Sequence, residues 1–155
     1  MVEVEHVIEI VDYQKGDLRY LVDIDVKGCD WPWLQKEWMK EAKYKAVYIA
    51  KYGNTIVGFL IADCSKYPIC HLQKVVVHPD YRQLGVATRL LHELMLHTTG
   101  SRFTKVVTSI PEIYITPGDP VLSFINKDFK ATGCNRNEFV IEGTVMDGVV
   151  FEYEL

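Results

Sequence analysis

Long apolar runs are missing from this chain of 155 residues. No stretch approaches the roughly 18 consecutive apolar residues of a membrane-spanning helix, which predicts no membrane span. An excess of basic charge is missing too: 17 Lys and Arg stand against 21 Asp and Glu, a formal net charge of −4. That balance argues against nucleic acid or an anionic membrane as partner, and leaves only local basic pockets. Cysteine is sparse and irregularly spaced (Cys29, Cys64, Cys70, Cys134), with no CxxC pair and no Cys/His zinc pattern, so no metal site is expected. Cys64 and Cys70 are near enough in sequence for a disulfide, but buried free thiols in a reducing compartment are the expectation. The first residues, MVEVEHVIEIVD, carry acid rather than base and have no long apolar core, which predicts no secretory signal. Repeats, low-complexity tracts and Ser/Gly-rich linkers are absent. Residues 1–155 are therefore read as a single cytoplasmic globular domain, its 48% hydrophobic and 25% charged content being usual for one.

What is present is a succession of short periodic segments. Val2 to Val11 is rich in Val and Ile and reads as a strand, whereas Leu18, Leu21, Val22 and Val26 fall at helical spacing. Trp31 to Met39 opens behind Asp30 with Pro32 near its first turn, an acceptable helix start. AVYIAKY and TIVGFLIAD flank Gly53-Asn54 and predict a β-hairpin. His71 to Val77 predicts a strand stopped at His78-Pro79, and Val86, Leu90, Leu91, Leu94 and Met95 predict a helix reaching about His97. Lys105 to Ile110 returns to strand character. Asp119 is placed as the N-cap of a short helix beginning at Pro120, with Val121, Leu122, Phe124 and Ile125 on its buried side. Phe139–Glu142 and Val149–Tyr153 read as two closing strands joined near Asp147-Gly148. Helices interleaved with mostly antiparallel strands indicate a mixed α/β (α+β) fold: a largely antiparallel central sheet of about six to seven strands flanked by about four helices.

The chemistry-bearing stretch is HLQKVVVHPDYRQLGVATRLLHELM, residues 71–95. A strand runs into a loop, Arg82-Gln83-Leu84-Gly85-Val86-Ala87, that opens directly into an amphipathic helix. The start of a helix offers unpaired N–H groups and the positive end of the macrodipole, a site for phosphate. Gly85 permits positive φ and close approach of a ligand to the backbone. The alternative is an ordinary strand–glycine–helix connection. GxxxxGK followed by Ser or Thr is absent, which excludes a P-loop, and no GxGxxG follows the first strand, which leaves a Rossmann dinucleotide site unsupported.

This segment resembles the acetyl-CoA signature of the GNAT superfamily of N-acetyltransferases, Gln/Arg-x-x-Gly-x-Gly/Ala, with Arg82, Gly85 and Ala87 in its three defined positions. Val75-x-Val77-x-Pro79 matches the strand that precedes it, and the order of elements along much of the chain follows the family. The resemblance implies an acetyl-CoA-dependent N-acetyltransferase that moves an acetyl group directly to a primary amine, on a small molecule or a peptide, as a monomer or homodimer. It implies that backbone groups of Val75, Val76 and Val77 hold the pantetheine arm. The amides of Arg82, Gln83, Leu84, Gly85, Val86 and Ala87, with the Thr88 hydroxyl, would hold the pyrophosphate.

An amine must be neutral to attack, so a general base is sought. The family often places a glutamate six residues before the position of Val77; here that position is His71, whose ordinary pKa of ~6.5 suits neutral pH. In members acting on protein N-termini a glutamate lies twelve residues ahead of a catalytic tyrosine, which here gives Glu112. Against these stand an ordinary strand histidine and a solvated loop acid. The family's acid tyrosine falls at Phe124, which cannot donate a proton; Ser123 and Tyr114 are nearby but out of register. Solvent can protonate a thiolate whose pKa is ~8.5. The alternative is a catalytically weak or inactive CoA-binding sensor on the same fold. Trp31, Trp33 and Trp38 are read either as an acceptor wall or as packing, and Lys127, Lys130 and Arg136 either as contacts to a CoA phosphate or as solvated charge. His92 and His97 are read as exposed helix positions, and Cys134 as a thiol without a nucleophile's setting.

Overall fold

A computed structural model describes residues 7–34, 37–38 and 45–155. Seven strands form one sheet: β1 (Ile8–Asp12), β2 (Lys45–Tyr52), β3 (Thr55–Asp63), β4 (Ile69–Val77), β5 (Lys105–Pro111), β6 (Lys130–Ile141) and β7 (Thr144–Glu154). Their order across the sheet is β1-β2-β3-β4-β5-β7-β6, antiparallel at every step except β4/β5. A parallel step needs a crossover. Helix α2 (Val86–Gly100) supplies it; α1 (Leu18–Gly28) and the short α3 (Pro120–Asn126) complete the helices among the described residues. Of the second early helix read from Trp31 to Met39, Glu37 and Trp38 are helical, Trp31 to Leu34 are irregular instead, held by the Asp25 contact to the Trp33 N–H, and residues 35, 36 and 39 lie outside the described residues.

Both faces of the sheet carry a core. Leu90, Leu91 and Leu94 of α2 pack on Leu60, Leu72, Val106 and Phe151, while Leu21 and Ile24 of α1 pack with Trp38 on Ile49, Phe59, Ile61 and Val76. With both faces covered, β3 is buried continuously from Val57 to Ala62, which is why TIVGFLIAD reads as an unbroken apolar run rather than an alternation.

The strand β4 changes phase partway along. Ile61 stands opposite Lys74 but Ala62 stands opposite Leu72, so Gln73 is an extra residue, a β-bulge. Before the bulge, Cys70 and Leu72 face the α2 core; after it, Val76 faces the α1 core and Lys74 reaches Asp25 of α1.

The closing hairpin corrects the sequence reading. Its turn is Glu142-Gly143, with φ of 50° and 79°, as a two-residue turn of the I′ class requires, and Asp147-Gly148 lies inside β7. The sixth strand begins at Lys130, not Phe139. Every residue from 130 to 138 is exposed, so this bulged edge strand shows no apolar alternation to read.

Candidate active site

Strands β4 and β5 pair only from Ile69↔Lys105 to Leu72↔Thr108. Thr108 Oγ1 donates to Leu72 O (3.0 Å) at the last paired step. Beyond it the strands part, since Gln73–Val77 continue against β3 alone while Ser109–Pro111 continue against β7. The parting opens a cleft of ≈ 600 Å³, within the ~300–1,000 Å³ usual for ligand sites. It is lined by β4 from Leu72 to Val77, the loop and first turn of α2, residues 108–110 of β5, Tyr114, the start of α3 and the end of α1 with Asp30 and Trp31.

The floor at the α2 end is built from backbone. Gln83 takes φ 66° and Gly85 φ 76°, and the first helical bond of α2 is Arg89 N–H to Gly85 O (3.0 Å). The N–H groups of Val86, Ala87 and Thr88 therefore precede any intrahelical partner. Left-handed residues alternating with ordinary ones before a helix start form a concavity of N–H dipoles suited to an anion. Residues 82–85 and Thr88 are exposed, whereas Val86 is buried and anchors the helix in the core. The Arg82 guanidinium does not point at this concavity: it donates to Gly28 O at 2.8 Å and ties the loop to the end of α1. Gly28 also lets the end of α1 lie close against β4, because a Cβ there would lie 2.8 Å from Val77 O.

The side of the cleft against α1 is polar and aromatic. Lys74 and Asp25 form a fully buried ion pair (2.5 Å); Asp25 also accepts the Trp33 N–H (2.8 Å), and the Lys74 ammonium lies 3.4 Å from Trp31 O. This pair pins the segment that carries Asp30 and Trp31. The ring of Trp31 packs on Tyr114 (centroids 5.1 Å) and edge-on to Phe139 (5.9 Å), and the Tyr114 hydroxyl donates to Asp30. Partial burial and the Asp30 charge raise the Tyr114 pKa well above a phenol's usual value, so the group stays protonated. Beside them Ser109 donates to Glu138, and Glu138 also accepts from Asn135 (3.1 Å).

Of the residues singled out from the sequence, Val75, Val76, Val77, Arg82, Gln83, Gly85, Val86, Ala87, Thr88, Phe124, Tyr114 and Trp31 come together around the cleft. Leu84 is exposed on the same loop and is not among its lining residues. Trp33 and Trp38 instead pack in the α1 core. His71 and Glu112 are not part of the lining. His71 is half-buried on the paired part of β4, opposite Asp63 and Val107; burial and the charge of Lys66 lower its pKa. Glu112 is exposed in a 3-10 turn and accepts the Asp147 N–H (3.4 Å). It lies just past the end of β5, five residues beyond Val107, the partner of His71. Lys127, Lys130, Arg136, His92 and His97 are exposed and outside the cleft lining. The Asp25–Lys74 pair and the Asp30–Tyr114 contact were missed, since each joins residues 49 and 84 positions apart.

This sheet, with a parallel pair that splays before a glycine-started helix, is shared with solved acetyltransferase structures. Residues 43–114 match the family described as Acetyltransferase (GNAT) domain, and the fold is that of solved GNAT acetyltransferases. The ribosomal-protein-S18-alanine N-acetyltransferase from Escherichia coli superposes with a TM-score of 0.82 at 15% identity, over 96% of this chain and 94% of that one. Arabidopsis thaliana NAA60, solved with a bisubstrate analogue, gives 0.80 at 14% identity, over 96% and 99%. A GNAT family acetyltransferase from Elizabethkingia anophelis with acetyl-CoA bound gives 0.76 at 16% identity, over 96% and 98%. No curated protein sequence matches the chain.

Proposed function

We propose that the protein binds acetyl-CoA in this cleft and transfers its acetyl group directly to a primary amine. The observation that carries the reading is the backbone concavity of Gln83 and Gly85 leading into the free amides of α2, set where β4 leaves its neighbour. The residues present suit that coenzyme. Amides Val86, Ala87 and Thr88, with those of the loop from Arg82, suit a diphosphate, and no cationic side chain is needed there. The unpaired edge of Val75–Val77 suits an extended amide-bearing arm, which would add to β4 as a short strand. Bound acetyl-CoA supplies an activated acyl group and a thiolate leaving group; the chain's own residues position the amine and manage its proton.

The acceptor side is the wall of Trp31, Tyr114 and Asp30, a carboxylate among aromatic faces, which suits a cationic amine. Three groups are proposed as proton acceptors. His71 is held in its neutral form and Glu112 is an exposed carboxylate; both would act through water. Asp30 borders the cleft itself. The position given to the acid by the family resemblance is Phe124, and it faces the cleft, so the thiolate takes its proton from solvent. Phe124 also supports the second reading, a CoA-binding domain without turnover. The free thiols of Cys29, Cys64, Cys70 and Cys134 support a reducing, cytoplasmic setting. Acetyl-CoA incubated with a free α-amino peptide, a lysine peptide and an aliphatic diamine tests the two readings: thiol release with one of them supports transfer, and calorimetric binding with no thiol release supports the second.

A further inference from the structure

The turn between β3 and β4 brings two free thiols together outside the cleft lining. Asp63 stands opposite His71, so Cys64 and Cys70 occupy the next rung of the same antiparallel hairpin, and their sulfurs are 3.6 Å apart. Directly opposed residues have Cβ atoms ~4.5–5.5 Å apart, against ~3.5–4.5 Å in a disulfide. The two ranges meet near ~4.5 Å, so a small approach of the strands with rotation of both side chains brings the sulfurs to bonding distance. The turn is already held for it: Ser65 N–H donates to Asp63 Oδ1 (2.9 Å), Ile69 N–H to Lys66 O (2.9 Å) and Thr104 N–H to Pro68 O (2.8 Å).

We propose that Cys64 and Cys70 are a modification site, a dithiol that a hydroperoxide converts to an intramolecular disulfide, with Cys64 attacking and Cys70 resolving. Exposure sets the roles, since Cys64 is half-buried while Cys70 is 0% exposed in the α2 core. The electrostatics agree: the contact between the two sulfurs holds the Cys64 pKa below the usual thiol value, and that contact with burial pushes the Cys70 pKa up. In the first step the Cys64 thiolate attacks one peroxide oxygen, the O–O bond breaks, and Cys64 becomes a sulfenic acid as an alcohol or water leaves. In the second, Cys70 sulfur attacks Cys64 sulfur, the S–O bond breaks, and the departing hydroxide takes the Cys70 proton as water. Two thiols and one hydroperoxide give one disulfide, one water and one alcohol (or a second water). The other two cysteines are placed differently. Cys29 is beside Lys74 with its pKa raised by burial, and Cys134 is exposed on β6.

The test treats the native protein with hydrogen peroxide, alkylates it under denaturing conditions and maps its cysteines by mass spectrometry. The expected result is loss of two hydrogens, with Cys64 and Cys70 jointly protected and alkylation of both restored by dithiothreitol. Cys70→Ala should stop at a sulfenic acid on Cys64, trapped by dimedone, and Cys64→Ser should leave Cys70 reduced. The second variant changes the half-buried member, so circular dichroism should show it folded even if Cys70→Ala is not. Full alkylation of both residues after peroxide, or cross-linking of two chains through Cys134 instead, would overturn the assignment. None of these readouts depends on what the cleft binds.

Discussion

Replacement of Gly85 by valine separates the backbone's role in the cleft from steric filling. A Cβ at Gly85 would meet nothing within 4 Å, yet the residue holds φ 76°, in the left-handed region. Placing an L-residue there costs ~1–2 kcal/mol, and a β-branched one sits at the upper end. Residues 82–85 are exposed, so little packing holds the strained form. The loop should relax to negative φ and rotate its peptide N–H groups away from the cleft. Losing one charge-assisted bond to a phosphate, ~1.5–3 kcal/mol, weakens acetyl-CoA binding about 10–150-fold. Any strain that persists lowers Tm by about 2–4 °C per kcal/mol in a domain of this size. Isothermal titration calorimetry reads the affinity. Gly100→Ala, in open space at the far end of α2 with an ordinary φ, is the control and should bind as the native protein does. Unchanged affinity in Gly85→Val would refute the reasoning.

Further outcomes follow from the same geometry. Gly28→Ala drives a Cβ to 2.8 Å from Val77 O and 2.9 Å from Val76 Cγ1, so α1 must lift off β4, with a loss of ~1–3 kcal/mol in denaturant melts. Lys74→Met strands the Asp25 carboxylate in the interior and should cost ~3–5 kcal/mol, whereas Lys74→Met with Asp25→Leu should recover most of it; a double mutant as unstable as the single one would show that the pair is not the source. His71 has a folded pKa below its ordinary 6.5, so the unfolded chain binds more protons below that pH. Its contribution to stability is therefore complete above pH 6.5 and falls as the pH drops toward the folded pKa. His71→Gln should flatten that part of the stability–pH curve, and an unchanged slope would contradict it. Once an accepting amine is in hand, Asp30→Asn, Glu112→Gln and His71→Gln separate the three proposed proton acceptors: the variant that loses kcat while acetyl-CoA affinity holds identifies the base.

Much of the architecture was legible because its signals are local. TIVGFLIAD announces a strand covered on both faces, Asp119-Pro120 announces a helix start, and Asp119 Oδ1 does accept the Val121 N–H at 2.8 Å. The positive φ of Gly85, 76°, was legible for the same reason, since it is a property of one residue. What escaped depends on distant pairing. The Gln73 bulge, which turns Lys74 toward Asp25, leaves no mark in HLQKVVV; the exposed edge strand KATGCNRNE offers no period to read; and Glu142-Gly143 is a weaker turn signal than the Asp147-Gly148 that sits inside β7. The three tryptophans show the limit well. Nothing in their spacing separates Trp31, which lines the cleft, from Trp33 and Trp38, which pack in the core.

Backbone amide NMR during a titration with acetyl-CoA tests the account most directly. The largest shifts should fall on residues 83–88 and on Val75–Val77, with little change along β1 and β2. Perturbations clustered away from the parted strands, or no shift at saturating coenzyme, would contradict it.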